Sequence, residues 1–179
     1  LEPSLQYIVS PYLNSVSANT HVFFAENQTV LSPGSIQIVE LRENQLCYRG
    51  GDFIAFRNLS AEVRERIKNL SFLIANLLRN KNYRGIAGID FIIDEQENVY
   101  CAEINPRFQA STLLLDKYLK NHHSIGCKLE ATSTFELNEM AFKGEMITTL
   151  SYNDRIDYSC YYYYSDGIPI NYYVEKCSL

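Results

Sequence analysis

Residues 85–107 constrain the fold of this chain more than any other stretch, because apolar and polar side chains alternate there along two arms. In the first arm, the odd-numbered residues 89–93 are apolar and fall on one face, while Asp90 falls on the other. Four residues of the second arm share a face: Val99, Cys101, Glu103 and Asn105. Residues 95–98 are left to turn the chain. We therefore predict an antiparallel hairpin that pairs Asp94 with Val99 and places Asp90 opposite Glu103.

The facing carboxylates of this hairpin predict a metal site. Asp90 and Glu103 would have Cβ atoms roughly 4.5–5.5 Å apart, and like charges placed in this way destabilise a sheet. Asn105 adds a neutral oxygen on the same face, so three hard oxygen donors converge, which Mg²⁺ and Mn²⁺ prefer. A solvated polar face of an ordinary hairpin would show the same pattern. The next residues favour the metal, because Pro106 ends the strand and Arg107 carries a guanidinium suited to phosphate oxygens.

The run from residue 85 to 112, with its E-x-N-P-R segment, resembles the metal-binding end of the ATP-grasp superfamily of carboxylate-amine ligases and carboxylases. The resemblance implies that Asp90, Glu103 and Asn105 hold Mg²⁺ or Mn²⁺ ions on the phosphates of ATP. It also implies that Arg107 contacts phosphate or substrate. The clear match covers roughly residues 52–119.

The resemblance extends more loosely to the N-terminal residues. Residues 8–13 would form the hinge between two lobes, where backbone meets adenine, and a residue after it would meet the ribose. The usual acidic residues of the family are absent from this stretch. The candidate nucleotide contacts are Ser10, Tyr12, Leu13, Ser17 and Asn19.

The rest of the chain predicts an α+β fold. Strands are expected at residues 5–10, 21–25, 29–31, 35–41 and 45–48, with a flexible bend at Gly50 and Gly51. Apolar residues at helical spacing predict a helix over residues 61–79, capped by Ser60 and packed on the apolar face of the hairpin. Further helices are expected at 113–120 and 134–142, where Ser111 or Thr112 would cap the first. Strands are expected at 145–152, 156–165 and 168–174.

The last two of these strands flank Asp166 and Gly167, which together favour a two-residue hairpin turn. This turn pairs Tyr163 with Ile170 and Tyr161 with Tyr172. Residues 1–120 are thus expected to form the C-terminal part of an ATP-grasp domain, a largely antiparallel sheet with helices packed on one side. Residues 121–179 are expected to form an extension with a tyrosine-rich hairpin on the same domain.

Composition excludes several classes of protein. The net charge is −5, with 16 basic residues and no basic cluster, which argues against nucleic acid or a membrane surface as partner. No apolar stretch approaches the roughly 20 residues that span a bilayer. Five cysteines without C-x-x-C spacing predict reduced thiols, with Cys101 as small core filler, and a cytoplasmic enzyme.

By resemblance, the intact enzyme would use ATP to activate a carboxylate as an acyl phosphate and join it to an amine or similar nucleophile. In the family, two lysines and a glycine-rich loop precede the hinge, so we expect this chain to be part of a longer or split enzyme whose partner is the missing N-terminal lobe. Two alternatives stay open: a non-catalytic nucleotide- and metal-binding module, and a carboxylase of the biotin-dependent kind. The sequence also leaves a homo-oligomer open.

Overall fold

The computed structural model describes residues 6, 9–25, 27–42, 45–124, 131–165 and 168–175. Its strands are β1 (Ser15–Phe24), β2 (Thr29–Leu31), β3 (Ser35–Arg42), β4 (Gln45–Asp52), β5 (Gly85–Asp94), β6 (Val99–Asn105), β7 (Tyr158–Ser165) and β8 (Ile168–Glu175). Its helices are α1 (Phe53–Arg57), α2 (Ala61–Arg79), α3 (Thr112–Ser124) and α4 (Thr134–Lys143). This content confirms the predicted α+β class.

The strands form one antiparallel sheet in the order β6-β5-β1-β3-β4-β7-β8, with β2 paired to β1. The longest pairing joins β1 to β5, from Ser15 opposite Asp94 to Phe24 opposite Gly85. The sheet therefore places the hairpin β5–β6 at one edge, directly beside β1.

Helices cover both faces of the sheet, so the expectation of helices on one side is wrong. Phe23 and Ile86 are paired and belong to a buried cluster that includes α3 and α4 side chains. Their neighbours Val22 and Ala87 are also paired and belong to a second cluster, which includes α2 side chains. Because successive strand residues point to opposite faces, the two clusters lie on opposite sides of β1 and β5.

Helix α2 has the predicted bounds and packs as predicted. The Ser60 side chain accepts the Val63 N–H at 3.3 Å, which caps the first turn. Ile67 and Ile74 pack in one cluster with the apolar face of β5. Leu77, one of the apolar residues at helical spacing that are expected to pack on the hairpin, is instead 59% exposed. No helix in the described ranges is long and apolar enough to cross a membrane.

One strand prediction fails, a second lies partly outside the described residues, and β1 and β4 are longer than predicted. Of residues 5–10, only Gln6, Val9 and Ser10 are described, and none is in a strand. Strand β1 begins at Ser15, well before residue 21, because it pairs with β5 along its whole length. Residues 145–152 form turns and irregular backbone, although Ile147 and Leu150 are buried against α3 and α4.

The two glycines predicted to form a flexible bend lie inside strand β4. Gly50 pairs with Ile38 and Tyr161, and Gly51 with Gln37 and Cys160. Gly50 has a φ of 153°, and a Cβ built there would lie 1.8 Å from the carbonyl oxygen of Cys160. Glycine is required at this position because the backbone of β7 approaches too closely for any side chain.

The C-terminal hairpin has the predicted register. Tyr163 pairs with Ile170 and Tyr161 with Tyr172, whereas the predicted turn residues 166–167 lie outside the described residues. The first strand begins at Tyr158 rather than residue 156. Its buried Cys160 belongs to the α3 and α4 cluster, so this hairpin extends the same sheet and core.

Candidate active site

The β5–β6 hairpin places Asp90 opposite Glu103, as predicted. The register beyond that pair is not the predicted one, because Val99 pairs with Ile93 instead of Asp94. The pairing shifts by one residue between Asp90 and Phe91, which leaves Ala102 without a paired residue. This shift restores the predicted alignment at the acidic pair. It also moves Val99 into the α2 cluster, away from the face that carries Glu103.

Asn105 joins the two carboxylates. Its Nδ2 donates to Asp90 Oδ2 at 2.8 Å and to Glu103 Oε2 at 3.1 Å. Asn105 is buried, with 7% of its surface exposed, while Glu103 is exposed and Asp90 is half-buried. The three predicted metal ligands are therefore brought together, with a hydrogen-bond donor between the two acidic groups.

Two glutamines that sequence reasoning missed also bind Asp90. Gln37 of β3 donates to Asp90 Oδ1 through Nε2 at 2.8 Å, and Gln109 donates to the same oxygen at 3.0 Å. Gln109 lies directly over Gly88, where a Cβ would approach its Cδ to 2.0 Å. The only sequence signal for Gln37 is a polar residue between Ile36 and Ile38 within a predicted strand.

The surroundings raise the pKa of Asp90 above its usual range. Burial disfavours the charged form, and the negative charge of Glu103 acts in the same direction. Hydrogen bonds from Gln109 and Asn105, and the positive charge of Arg107, oppose these effects. A bound cation would oppose both the burial and the Glu103 charge, because it favours the charged form of Asp90.

Arg107 lies at the edge of this site. Its side chain is exposed, and its Nη1 donates to the carbonyl of Phe108 at 3.0 Å. Because its charge acts on Asp90, the guanidinium is within electrostatic reach of the acidic pair. The exposed position leaves it accessible to an anionic group in solution.

Buried polar side chains of β1 hold the segment between Arg107 and α3. Asn19 donates to Ser111 Oγ at 3.0 Å and accepts from Ser35 Oγ at 2.7 Å. His21 Nε2 lies 2.9 Å from Thr112 Oγ1, and the same oxygen accepts the Gln109 N–H at 2.9 Å. The two predicted capping hydroxyls thus bind β1 and Gln109, which fixes the position of Gln109 over Asp90.

His21 is fully buried, and burial lowers its pKa to about 4. The ring is therefore neutral at physiological pH, as a partner of a hydroxyl in a dry environment should be. Sequence patterning did not single out His21, because its role depends on a hydroxyl that lies 91 residues later in the chain.

The predicted nucleotide contacts occupy two different environments. Ser10 and Tyr12 are exposed, Leu13 is half-buried, and all three precede the sheet. Ser17 and Asn19 are in β1, paired with Ile92 and Asp90, and lie on the same face of the strand as each other. The Asn19 side chain is buried and bound to Ser35 and Ser111. As nucleotide contacts, these five residues remain predictions.

No group of three or more His, Cys, Asp and Glu side chains gathers at a metal-binding distance in the described ranges. The acidic site instead consists of two carboxylates and one amide. Cys101 is exposed and not core filler. Although the residue is exposed, partial desolvation of its sulfur and the charge of Asp90 raise the pKa of the thiol, so a thiolate ligand is disfavoured there.

The fold and site together define an α+β domain with two facing carboxylates and a bridging amide on an edge hairpin. A family model described as an ATP-grasp domain matches residues 2–111. The chain therefore belongs to the ATP-grasp domain family. No curated protein matches the chain.

Solved structures share the fold at low identity. One is N5-carboxyaminoimidazole synthetase from Staphylococcus aureus complexed with ADP, with 18% identity, a TM-score of 0.54, and coverage of 84% of this chain and 35% of that chain. Another is N5-carboxyaminoimidazole ribonucleotide synthetase from Thermus thermophilus, with 11% identity, a TM-score of 0.57, and coverage of 87% of this chain and 37% of that chain. A third is a biotin carboxylase–βγ-ATP complex from Campylobacter jejuni, with 14% identity, a TM-score of 0.57, and coverage of 84% of this chain and 30% of that chain. The chain spans about a third of these structures.

Proposed function

We propose that this chain is the metal-binding part of an ATP- and Mg²⁺-dependent ligase, which activates a carboxylate as an acyl phosphate and joins it to an amine or similar nucleophile. The observation that carries the proposal is the Asp90–Glu103 pair with Asn105 between the two carboxylates and Arg107 beyond them. Membership of the ATP-grasp family supports it.

The residues fit a divalent cation. Two carboxylates share one face of a strand pair, and the raised pKa of Asp90 reflects burial first and then the charge of Glu103. Asn105 Nδ2 lies between them as a hydrogen-bond donor, at the position that a cation would take. Asp90 and Glu103 would hold the ion, and Asn105 would have to turn its amide by half a rotation to present Oδ1. When bound, the ion would neutralise charge on the phosphates of ATP.

The chain's own residues would position the reacting groups. The exposed guanidinium of Arg107 would orient a phosphate or the acyl oxygen through paired N–H donors. Gln37 and Gln109 would hold Asp90 Oδ1 in place from two directions. Such a site would act by positioning and electrostatic stabilisation, without a covalent intermediate on the protein.

The N-terminal lobe that supplies the remaining nucleotide contacts would come from the same or a separate chain. The three structurally similar enzymes are more than twice as long as this chain, which is consistent with such a lobe. The carboxylate and nucleophile would be small molecules.

A second candidate is a binding module that retains the fold and holds nucleotide and metal without turnover. The hinge supports this candidate, because residues 9–14 contain no acidic side chain and Asn19 already binds Ser35 and Ser111. A biotin-dependent type of carboxylase would use the same acidic site.

The test is nucleotide turnover by the full-length protein with Mg²⁺, against a pool of amino acids and small carboxylic acids, with ADP and AMP measured separately. We expect ADP and phosphate release that depends on the added acid and that is largely lost in Glu103→Gln. Glu95→Gln is the matched control, because it makes the same charge change in the turn of the same hairpin. Wild-type rates from Glu103→Gln would refute the site, and AMP would refute acyl-phosphate chemistry. Tight metal–nucleotide binding without turnover would favour the binding module.

A further inference from the structure

A cavity of about 290 Å³ lies between α1, the start of α2 and residues 152–156. Part of its lining is apolar and comes from Phe53, Phe56 and Ile156. At roughly 30 Å³ per molecule of liquid water, the volume corresponds to about ten waters, which is the size of a small organic molecule. None of the residues of the acidic site lines this cavity.

Three arginines line the same cavity, and two of them are bound to one carboxylate. Arg57 Nη1 donates to Asp157 Oδ1 at 2.6 Å. Arg155 Nε donates to both carboxylate oxygens of Asp157, at 3.1 and 3.0 Å. Asp157 thus shares its single negative charge between two guanidinium groups.

The third arginine, Arg64, presents an unsatisfied donor. Its Nε is buried and has no hydrogen-bond partner among the residues that the structure describes. The nearby Tyr152 hydroxyl donates to the backbone carbonyl of Arg64 at 2.6 Å, so it holds the backbone and not the Nε–H. Asp154 also lines the cavity, and its Oδ2 accepts the Ser151 N–H at 2.8 Å. A buried donor without a partner is unfavourable, and a ligand oxygen would satisfy it.

The charges indicate which ligand fits. The cavity is lined by three arginines and Asp154, and Asp157 is paired with Arg57 and Arg155, so these five side chains carry an excess of one positive charge. A guanidinium binds a planar carboxylate through parallel hydrogen bonds. The apolar lining from Phe53, Phe56 and Ile156 suits an aromatic or aliphatic body.

We propose that this cavity is a second ligand site, distinct from the acidic site, which binds a small carboxylic acid with an apolar body. Arg64 receives the carboxylate, and the aromatic wall receives the apolar part. The inference does not depend on the ligase proposal, because no residue is shared between the two sites.

The experiment is isothermal titration calorimetry of the chain with phenylacetate in the absence of nucleotide and metal, in a buffer low in chloride. Phenylacetamide, which has the same shape and no charge, is the ligand control. We expect phenylacetate to bind at least tenfold more tightly than phenylacetamide. Arg64→Gln should weaken phenylacetate binding at least tenfold. Lys81→Gln, which removes one positive charge from the exposed turn after α2, should leave it unchanged.

Glu103→Gln separates this site from the acidic site, and phenylacetate should bind that variant as tightly as the wild type. If Arg64→Gln does not fold, as judged by circular dichroism, Arg64→Lys keeps the charge and should bind with intermediate affinity. Equal affinity for the acid and the amide would overturn the proposal. So would absence of phenylacetate binding at millimolar concentrations, or loss of binding in Glu103→Gln.

Discussion

Because of the facing carboxylates of the hairpin, we expect Glu103→Gln to be more stable than the wild type without metal, and less stable than the wild type when Mg²⁺ and ATP are present. Replacing Glu103 by Gln removes one negative charge and keeps a carbonyl oxygen that can accept the Asn105 Nδ2–H. Like charges directly opposite on antiparallel strands destabilise a sheet on a scale of about 0.2–1 kcal/mol. We therefore expect the metal-free Glu103→Gln variant to have a free energy of unfolding higher than the wild type by about that amount at neutral pH and low salt.

The expected change in melting temperature follows from the size of the chain. For 150–250 residues, 1 kcal/mol corresponds to about 2–4 °C, so the metal-free variant should melt about 0.4–4 °C higher than the wild type. The order should reverse with ligand. At concentrations of Mg²⁺ and ATP about 100 times the dissociation constant, the wild type gains about 2.7 kcal/mol. Glu103→Gln should lose most of this gain, because it lacks one of two charged ligands.

Thermal unfolding monitored by circular dichroism, with and without Mg²⁺ and ATP, measures both effects. Glu95→Gln serves as control and should show neither the rise nor the loss. About 1 M salt should reduce the rise in the metal-free variant, since the facing charges are partly exposed. The reasoning would be refuted if metal-free Glu103→Gln melted below the wild type, or if Mg²⁺ and ATP stabilised both proteins equally.

Three further predictions concern other parts of the molecule. Burial lowers the pKa of His21 to about 4 from an unfolded value near 6.5. The neutral ring therefore contributes about 3 kcal/mol to the free energy of unfolding above pH 6.5, and this contribution is lost as the pH falls towards 4. His21→Gln should flatten that decline, as measured by urea titration at a series of pH values. Gly50→Ala should lower the free energy of unfolding by about 3 kcal/mol or more, because of backbone strain and loss of β4–β7 pairing. The same variant should expose the Cys160 amide to hydrogen exchange. Gly51→Ala, whose Cβ would lie 3.3 Å from its nearest neighbour, should lower the free energy of unfolding much less. Since the pKa of Asp90 is raised, chiefly by burial, Mg²⁺ affinity measured by calorimetry should begin to fall at a higher pH than an ordinary aspartate near 3.9 would give. In the metal-free protein, NMR of the carboxyl groups should show the pKa of Asp90 moving lower in Glu103→Gln, and an unchanged pKa would contradict the role of Glu103.

The sequence was sufficient where the relevant contacts are local or follow one repeat. Helix α2 was predicted with both ends correct, because a cap at Ser60 and a 3.6-residue apolar repeat are properties of the segment itself. The register of the C-terminal hairpin was predicted because a two-residue turn determines the pairing of its strands. The Asp90–Glu103 pair was also predicted, although through a register that holds only on one side of Ala102. An unpaired residue within a strand leaves no periodic signal, so sequence reasoning could not locate it.

Tertiary structure decided the contacts that join distant parts of the chain. Gln37 and Gln109 meet at Asp90 because β3 and the segment before α3 reach the same face of the sheet. His21 is neutral and buried because α3 covers it. Gly50, which the sequence predicts in a flexible bend, is required inside a strand because β7 pairs there. Alternation and helical spacing determine which side of an element is apolar, whereas only the order of strands determines what each side meets.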